Sequence, residues 1–231
     1  MTVQTSAATN VAGAYTAAFQ ALADELDTLN ALRERLVKAS RDTTQASKKL
    51  IFALHRAPRP GTRGHDFALT AARADAARIR ELIAVRIAGE IDGEDCYTRL
   101  QRAFSPGLQE YVEGALLLGY MDGGSLVPHE ELERELQAAC AASNVGFSIP
   151  LDPGDYVLGA ADLTGELMRL CRGLRCNGDV ETPFRVRAFL EPLLECFEGL
   201  LTQRRGPLMR DLPGKVGGVS SESRQGGADM F

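Results

Sequence analysis

The length, composition and charge of this chain are those of an ordinary globular protein. Its 231 residues, 45% hydrophobic and 25% charged, are enough to bury a substantial core. The net charge of −5 argues against a protein that is basic throughout, and no apolar run approaches the roughly 20 residues that span a bilayer.

Helical periodicity dominates the chain, and no alternation typical of strands is convincing. The pattern therefore predicts an all-α, single-domain bundle of about six to seven helices. We expect a flexible N-terminus over 1–10, the helical domain over 11–205 and a disordered tail over 206–231. In that tail periodicity gives way to glycine, serine, proline and charge.

The first predicted helix runs from about 11 to 56 and carries two separate faces. Its leucines form an apolar seam, and a neighbouring stripe is basic, formed by Lys38, Arg41, Lys48 and His55. This stripe could follow a nucleic-acid backbone; the alternative is a solvated face, with His55 a packed or exposed bystander. A loop rich in proline and glycine over 57–64 ends the helix.

The remaining helices are bounded by glycine or by proline near their first turn. They are predicted over 66–88, 94–104, 106–122, 128–140, 153–175 and 183–203. Ser105–Pro106 is expected to separate two of them. The stretch 141–151 is expected to be irregular.

Two pairs of carboxylates are the strongest functional signal. Glu110 and Glu113 are three residues apart, and Asp162 and Glu166 are four apart, so each pair shares one face of a helix. Like charges so placed repel, and a bound cation would hold them together. Oxygen ligands without histidine or cysteine suit Mg²⁺ or Mn²⁺, which indicates a metal-dependent hydrolase acting on phosphate. Arg169, one turn beyond the second pair, could contact that phosphate; the alternative is solvated surface with an exposed ion pair.

Two glycines flank the second acidic pair. Each of Gly159 and Gly165 costs about 1 kcal/mol inside a helix relative to alanine. A close approach by backbone or substrate would explain that cost.

The cysteines and histidines do not form a recognisable metal or catalytic motif. The five cysteines are an odd number without a Cys-x-x-Cys pair, and the three histidines match no zinc spacing. Together with a start that lacks a signal-peptide pattern, they predict reduced thiols in a protein of the cytoplasm and nucleus.

At the residues already singled out, the chain resembles the translin family. The matching blocks are Leu36–Thr44, Lys48–Arg56, Gly107–Glu113, Asp155–Cys171 and Asn177–Phe184. Together they extend over roughly 26–200. The long block around the second acidic pair is the most specific of them.

The resemblance implies a translin-like fold and assembly with translin into a closed, hollow hetero-oligomer. Such assemblies are Mg²⁺-dependent endoribonucleases that cleave single-stranded RNA, including small-RNA passenger strands and precursor-tRNA fragments; single-stranded DNA is a further possible ligand. It assigns the catalytic and metal-binding roles to Glu110, Glu113, Asp162 and Glu166, and RNA contacts to Arg169 and the basic stripe.

One departure from the family leaves a second hypothesis open. Family members continue after the segment matching Gly206–Pro207 into a further amphipathic helix, which this sequence replaces with glycine and serine. The alternative to a nuclease is therefore a non-catalytic nucleic-acid-binding or scaffold subunit of a translin complex.

Overall fold

The chain is a bundle of α-helices. The structure is a computed structural model that describes residues 3–58, 60–175, 181–203 and 211–216, and no strand occurs in those ranges. The helices are α1 (Val3–His55), α2 (Arg63–Arg86), α3 (Gly93–Gly123), α4 (His129–Ala142), α5 (Pro153–Arg175) and α6 (Glu181–Gln203), with a short 3₁₀ turn at Ala88–Glu90. The all-α class predicted from the sequence is confirmed.

The first helix is longer than its periodicity indicated. It begins at Val3, so the described part of the segment predicted as a flexible N-terminus is helical. The sequence there contains no proline, which allows the helix to extend in that direction. The side chains of Tyr15, Phe19, Leu22 and Leu26 are exposed along this half of α1.

The helix break predicted at Ser105–Pro106 does not occur, because α3 is continuous through the proline. Ser40 of α1 supports the backbone there: its hydroxyl donates to the Phe104 carbonyl at 3.3 Å and accepts from the Gly107 amide at 3.0 Å. A Cβ at Gly107 would lie 2.8 Å from the Ser40 carbonyl oxygen, so glycine is needed for this close approach. The hydroxyl from a different helix thus adds two hydrogen bonds to the backbone on either side of the proline, which itself removes one.

The central helix is α3, which packs against both α1 and α5. Gly159 of α5 lies against α3, where a Cβ would be 2.8 Å from the Gln109 carbonyl oxygen. This contact is a close backbone approach of the kind expected at that glycine. Gly165 differs, since a Cβ there would meet nothing within 4 Å.

A buried polar network lies where α3 and α5 cross. Ser105 donates to Asp155 Oδ1, and the Gln109 side-chain amide donates to the same oxygen at 2.9 Å. The other oxygen of Asp155 is buried without a partner in the described ranges. Burial raises the pKa of Asp155 to about 6, and the two hydrogen bonds oppose that rise.

Part of the segment predicted as a disordered tail is ordered. Residues 212–216 form one helical turn, and its Leu212 and Val216 are buried against the bundle. An apolar pair four residues apart suffices to dock so short a segment, and the glycine-rich composition around it masked this signal. The rest of the predicted tail, 206–210 and 217–231, lies outside the described residues.

The predictions about thiols and membranes concern smaller features. Four of the five cysteines are described, and none of these four is in a disulfide. No helix in the described ranges is both long and apolar enough to cross a membrane.

Candidate functional site

The four predicted acidic residues line one cleft. Glu110 and Glu113 come from α3, and Asp162 and Glu166 come from α5. The cleft has a volume of about 610 Å³, and its other walls are Lys48, Ile51 and Phe52 of α1 and Arg169 of α5. The close packing of α3 against α1 and α5 brings these two acidic helix faces together.

Glu113 is the most strongly perturbed of the four carboxyl groups. Only 8% of the residue is exposed, and it has no hydrogen bond or ion pair within the part of the chain that the structure describes. Burial, and after it the charges of the other three carboxylates, raise its pKa to about 8, while Lys215 opposes them. At neutral pH Glu113 therefore favours either a proton or a nearby cation.

Each of the other three carboxylates has a basic partner from the chain itself. The pairs are Lys48 Nζ with Glu110 Oε2 at 3.8 Å, His55 Nε2 with Glu166 Oε2, and Lys215 Nζ with Asp162 Oδ2. Arg169 Nη1 also lies 3.6 Å from the Glu166 oxygen. Burial raises the pKa of Glu110, and Lys48 counteracts part of that effect.

The site has the right donors for a hard divalent cation, but its side chains are not arranged around one. In the described ranges no group of three or more histidine, cysteine, aspartate or glutamate side chains is close enough to hold an ion. The donor atoms are all carboxylate oxygens, the type that Mg²⁺ and Mn²⁺ prefer. Because Glu113 is buried without an ion pair in the described ranges, these residues fit such an ion once the basic partners move aside.

The predicted basic stripe is only partly associated with this cleft. Arg41 and Lys48 line a shallow groove of about 430 Å³ that meets the acidic cleft at Lys48, and His55 contacts Glu166 instead. Lys38 is exposed on α1 outside the groove-lining set. Lys49 lines the groove as well, although the sequence analysis did not select it.

A second cavity lies on the other side of Arg169. It has a volume of about 530 Å³ and is lined in part by Arg56, His65, Tyr120 and Arg185, which sequence reasoning missed. These residues come from the ends of different elements, so no local spacing in the sequence connects them. Only the adjacency of Arg56 to the predicted stripe residue His55 was available as a signal.

Comparison with known proteins gives one family model and several relatives. The model of the translin family matches residues 31–222. Translin-associated protein X of Rattus norvegicus is 37% identical over 195 residues, and that of Mus musculus is 38% identical over 197 residues. Each alignment covers 78% of this chain, which spans 66% of the length of these relatives.

A more distant relative and a solved structure extend the comparison. The translin-associated protein X homolog of Schizosaccharomyces pombe is 32% identical over 201 residues, covering 75% of this chain and 78% of its own length. The crystal structure named apo-NeC3PO matches with a TM-score of 0.58 and 22% identity, covering 90% of this chain and 92% of that one. That structural likeness bears on the fold alone.

Proposed function

This chain belongs to the translin family, and we propose that it is the catalytic subunit of a Mg²⁺-dependent endoribonuclease that acts on single-stranded RNA together with translin. The observation that carries the proposal is the acidic cleft. Two carboxylate pairs, selected from the sequence by helical spacing alone, line the same cleft in the fold. Glu113, buried among them without an ion pair in the described ranges, supports a cation at this position.

The roles of the acids follow from their positions and electrostatics. Glu110, Asp162 and Glu166 would supply oxygen ligands from the walls of the cleft, and Glu113 would be either a further ligand or the general base. A carboxyl group whose pKa lies near neutral pH is suited to accepting a proton from an attacking water. Bound Mg²⁺ would lower the pKa of a coordinated water and neutralise charge that develops on the phosphate.

The basic residues around the cleft are suited to holding the RNA backbone. Lys48 and Arg169 line the cleft with side chains that are 66% and 61% exposed. Both can turn from their carboxylate partners toward a phosphate at little cost, because exposed ion pairs contribute less than about 1 kcal/mol. Arg41 and Lys49 continue the positive surface along the groove on α1.

The proposal is tested by purifying the chain with a translin partner and measuring cleavage of end-labelled single-stranded RNA. We expect cleavage in Mg²⁺, none in EDTA, and a loss of roughly 100-fold or more for Glu113→Ala. The control is Glu81→Ala, which removes an exposed carboxylate from α2 far from the cleft. Equal cleavage by the two variants would contradict the assignment.

A non-catalytic, nucleic-acid-binding or scaffold subunit is the second candidate. The observation that favours it is that three of the four carboxylates already have basic partners within the chain, which can balance their charge in place of a metal ion. This alternative predicts that the complex binds RNA without any product that depends on Mg²⁺. Cleavage that disappears in EDTA and returns with Mg²⁺ would eliminate it.

A further inference from the structure

The cavity beyond Arg169 is formed where five helices and one loop meet. Its walls come from the end of α1 and the following loop, the start of α2, the end of α3, and the facing sides of α5 and α6. Its volume of about 530 Å³ lies within the range of small-molecule sites, roughly 300–1,000 Å³. It can therefore enclose a compact organic group rather than only an ion.

The charged residues that line this cavity are all basic. Arg56, Arg169 and Arg185 line it together with two histidines, and no aspartate or glutamate is among its described lining residues. Arg185 has no carboxylate within ion-pair distance in the described ranges, and Arg56 lies over the Phe52 ring at 5.4 Å from its centroid. Three guanidinium groups around one cavity favour an anion with several acceptor oxygens, such as a phosphate.

His65 gives independent support for a ligand. The residue is 95% buried, and its Nδ1 is 2.9 Å from the Pro58 carbonyl oxygen. Nδ1 donates there, because a carbonyl oxygen only accepts, and no hydrogen bond of Nε2 occurs within the described ranges. A ring nitrogen without a protein partner in the wall of a cavity is available to a polar ligand there.

The apolar part of the cavity suits a planar ring. Tyr120 and Met121 line one side, and Pro58 and Pro60 line another. The Tyr120 ring packs on Phe189 with 4.8 Å between the ring centroids, so it is supported from behind. An aromatic face next to guanidinium groups is the combination with which proteins bind bases of single-stranded nucleic acids.

The cavity and the acidic cleft share a wall. Arg169 lines both, and His55 lines the cavity while its Nε2 contacts Glu166 of the cleft. A strand with one phosphodiester at the carboxylates would therefore bring its neighbouring nucleotide to the cavity.

From this arrangement we propose that the cavity binds one nucleotide unit, with its phosphate on Arg56, Arg169 and Arg185 and its base against Tyr120 and Nε2 of His65. The substrate class rests on the proposed function. The nucleotide can be one within the strand or a phosphorylated strand end, since both present the same phosphate and base.

The test uses the full chain, in EDTA so that no cleavage occurs, and measures binding of a fluorescent single-stranded RNA hexamer by anisotropy. Arg185→Ala should weaken binding roughly tenfold through loss of a charge-assisted contact, and Arg185→Lys should retain part of the affinity. Arg187→Ala is the matched control on the same helix, because Arg187 pairs with Glu191 at 2.7 Å and does not line the cavity. It should change the affinity less than twofold.

Competition identifies the ligand chemistry. AMP should displace the hexamer from the wild-type chain more effectively than adenosine or inorganic phosphate, and this advantage should be lost in Arg185→Ala. Phosphate that competes as well as AMP, or equal weakening by Arg185→Ala and Arg187→Ala, would overturn the proposal. Hexamers with and without a 5′-phosphate separate the two sources: dependence on Arg185 for both indicates an internal nucleotide, and dependence for the phosphorylated one alone indicates a strand end.

The two proposals fail in distinguishable ways. If the complex shows no cleavage with Mg²⁺ but Arg185→Ala still weakens AMP binding, the nucleotide site stands and the nuclease assignment falls. If cleavage depends on Glu113 while Arg185→Ala binds like the wild type, the nuclease assignment stands and the nucleotide site falls.

Discussion

The buried carboxyl group of Glu113 should make the metal-free protein less stable as the pH rises. Its pKa of about 8 in the folded chain exceeds the ordinary value of 4.5. Below pH 4.5 both states hold the proton, and between 4.5 and 8 the unfolded chain ionises while the folded chain does not. The stability contributed by the protonated form is therefore present at low pH and lost as the pH rises toward 8.

Glu113→Gln removes this loss because glutamine has a similar shape and no charge. A pKa difference of about 3.5 at about 1.4 kcal/mol per unit sets a ceiling of about 5 kcal/mol. Water and counter-ions reach the open cleft and reduce the effect, so we expect the variant to gain about 2 kcal/mol at pH 9 and little at pH 5.

Urea unfolding in EDTA at several pH values measures this difference directly. Glu81→Gln is the control, since its carboxylate is exposed on α2. With Mn²⁺ at pH 8 the wild type should become more stable than Glu113→Gln, because the ion stabilises the wild-type site more than the variant site. A gain for Glu113→Gln that is the same at pH 5 and pH 9 would refute the electrostatic explanation.

Three further predictions concern the surroundings of the site. Burial raises the pKa of Asp155 from 3.8 to about 6, so its carboxyl group makes the folded chain lose stability as the pH rises through this range, and Asp155→Asn should remove that loss. A difference in unfolding free energy between variant and wild type that stays constant across this range would contradict the prediction. Lys215→Ala should tighten Mn²⁺ binding measured by titration calorimetry, because the ammonium group that contacts the α5 carboxylate no longer competes; unchanged or weaker binding would oppose this. Gly159→Ala should cost about 1–3 kcal/mol in thermal or urea unfolding because its Cβ would overlap the Gln109 carbonyl, whereas Gly165→Ala should be neutral or stabilising; equal effects would contradict the packing argument.

Local periodicity was enough to predict the helices, and it failed where a partner from another helix decided the outcome. The break expected before Pro106 is absent because the Ser40 hydroxyl bonds the backbone groups beside the proline. The order at Leu212 and Val216 depends on apolar surface that only the folded bundle provides. A helical pattern is recognised within one short stretch of sequence, and neither Ser40 nor the surface of the bundle belongs to the stretch that it stabilises.

The candidate site shows the same limit more sharply. Helical spacing predicted that each acidic pair shares one face, but spacing within a helix says nothing about which faces meet. The structure brings both pairs to one cleft and adds Lys215, which came from a segment predicted to be disordered. Arg185 and Tyr120 line the same cavity because α3 packs against α6, and the sequence alone did not predict that contact.

The basic partners of the acidic residues explain how the cleft can balance its charge alone and still be suited to a metal ion. Lys48, His55 and Lys215 each provide a basic group to one carboxylate, while Glu113 keeps its proton near neutral pH. A divalent ion would take the place of these three basic side chains and of the proton on Glu113, and the basic side chains would then be free to bind elsewhere. The phosphates of an RNA strand in the cleft could then pair with the basic side chains that the ion has released. Metal binding and strand binding should therefore each strengthen the other.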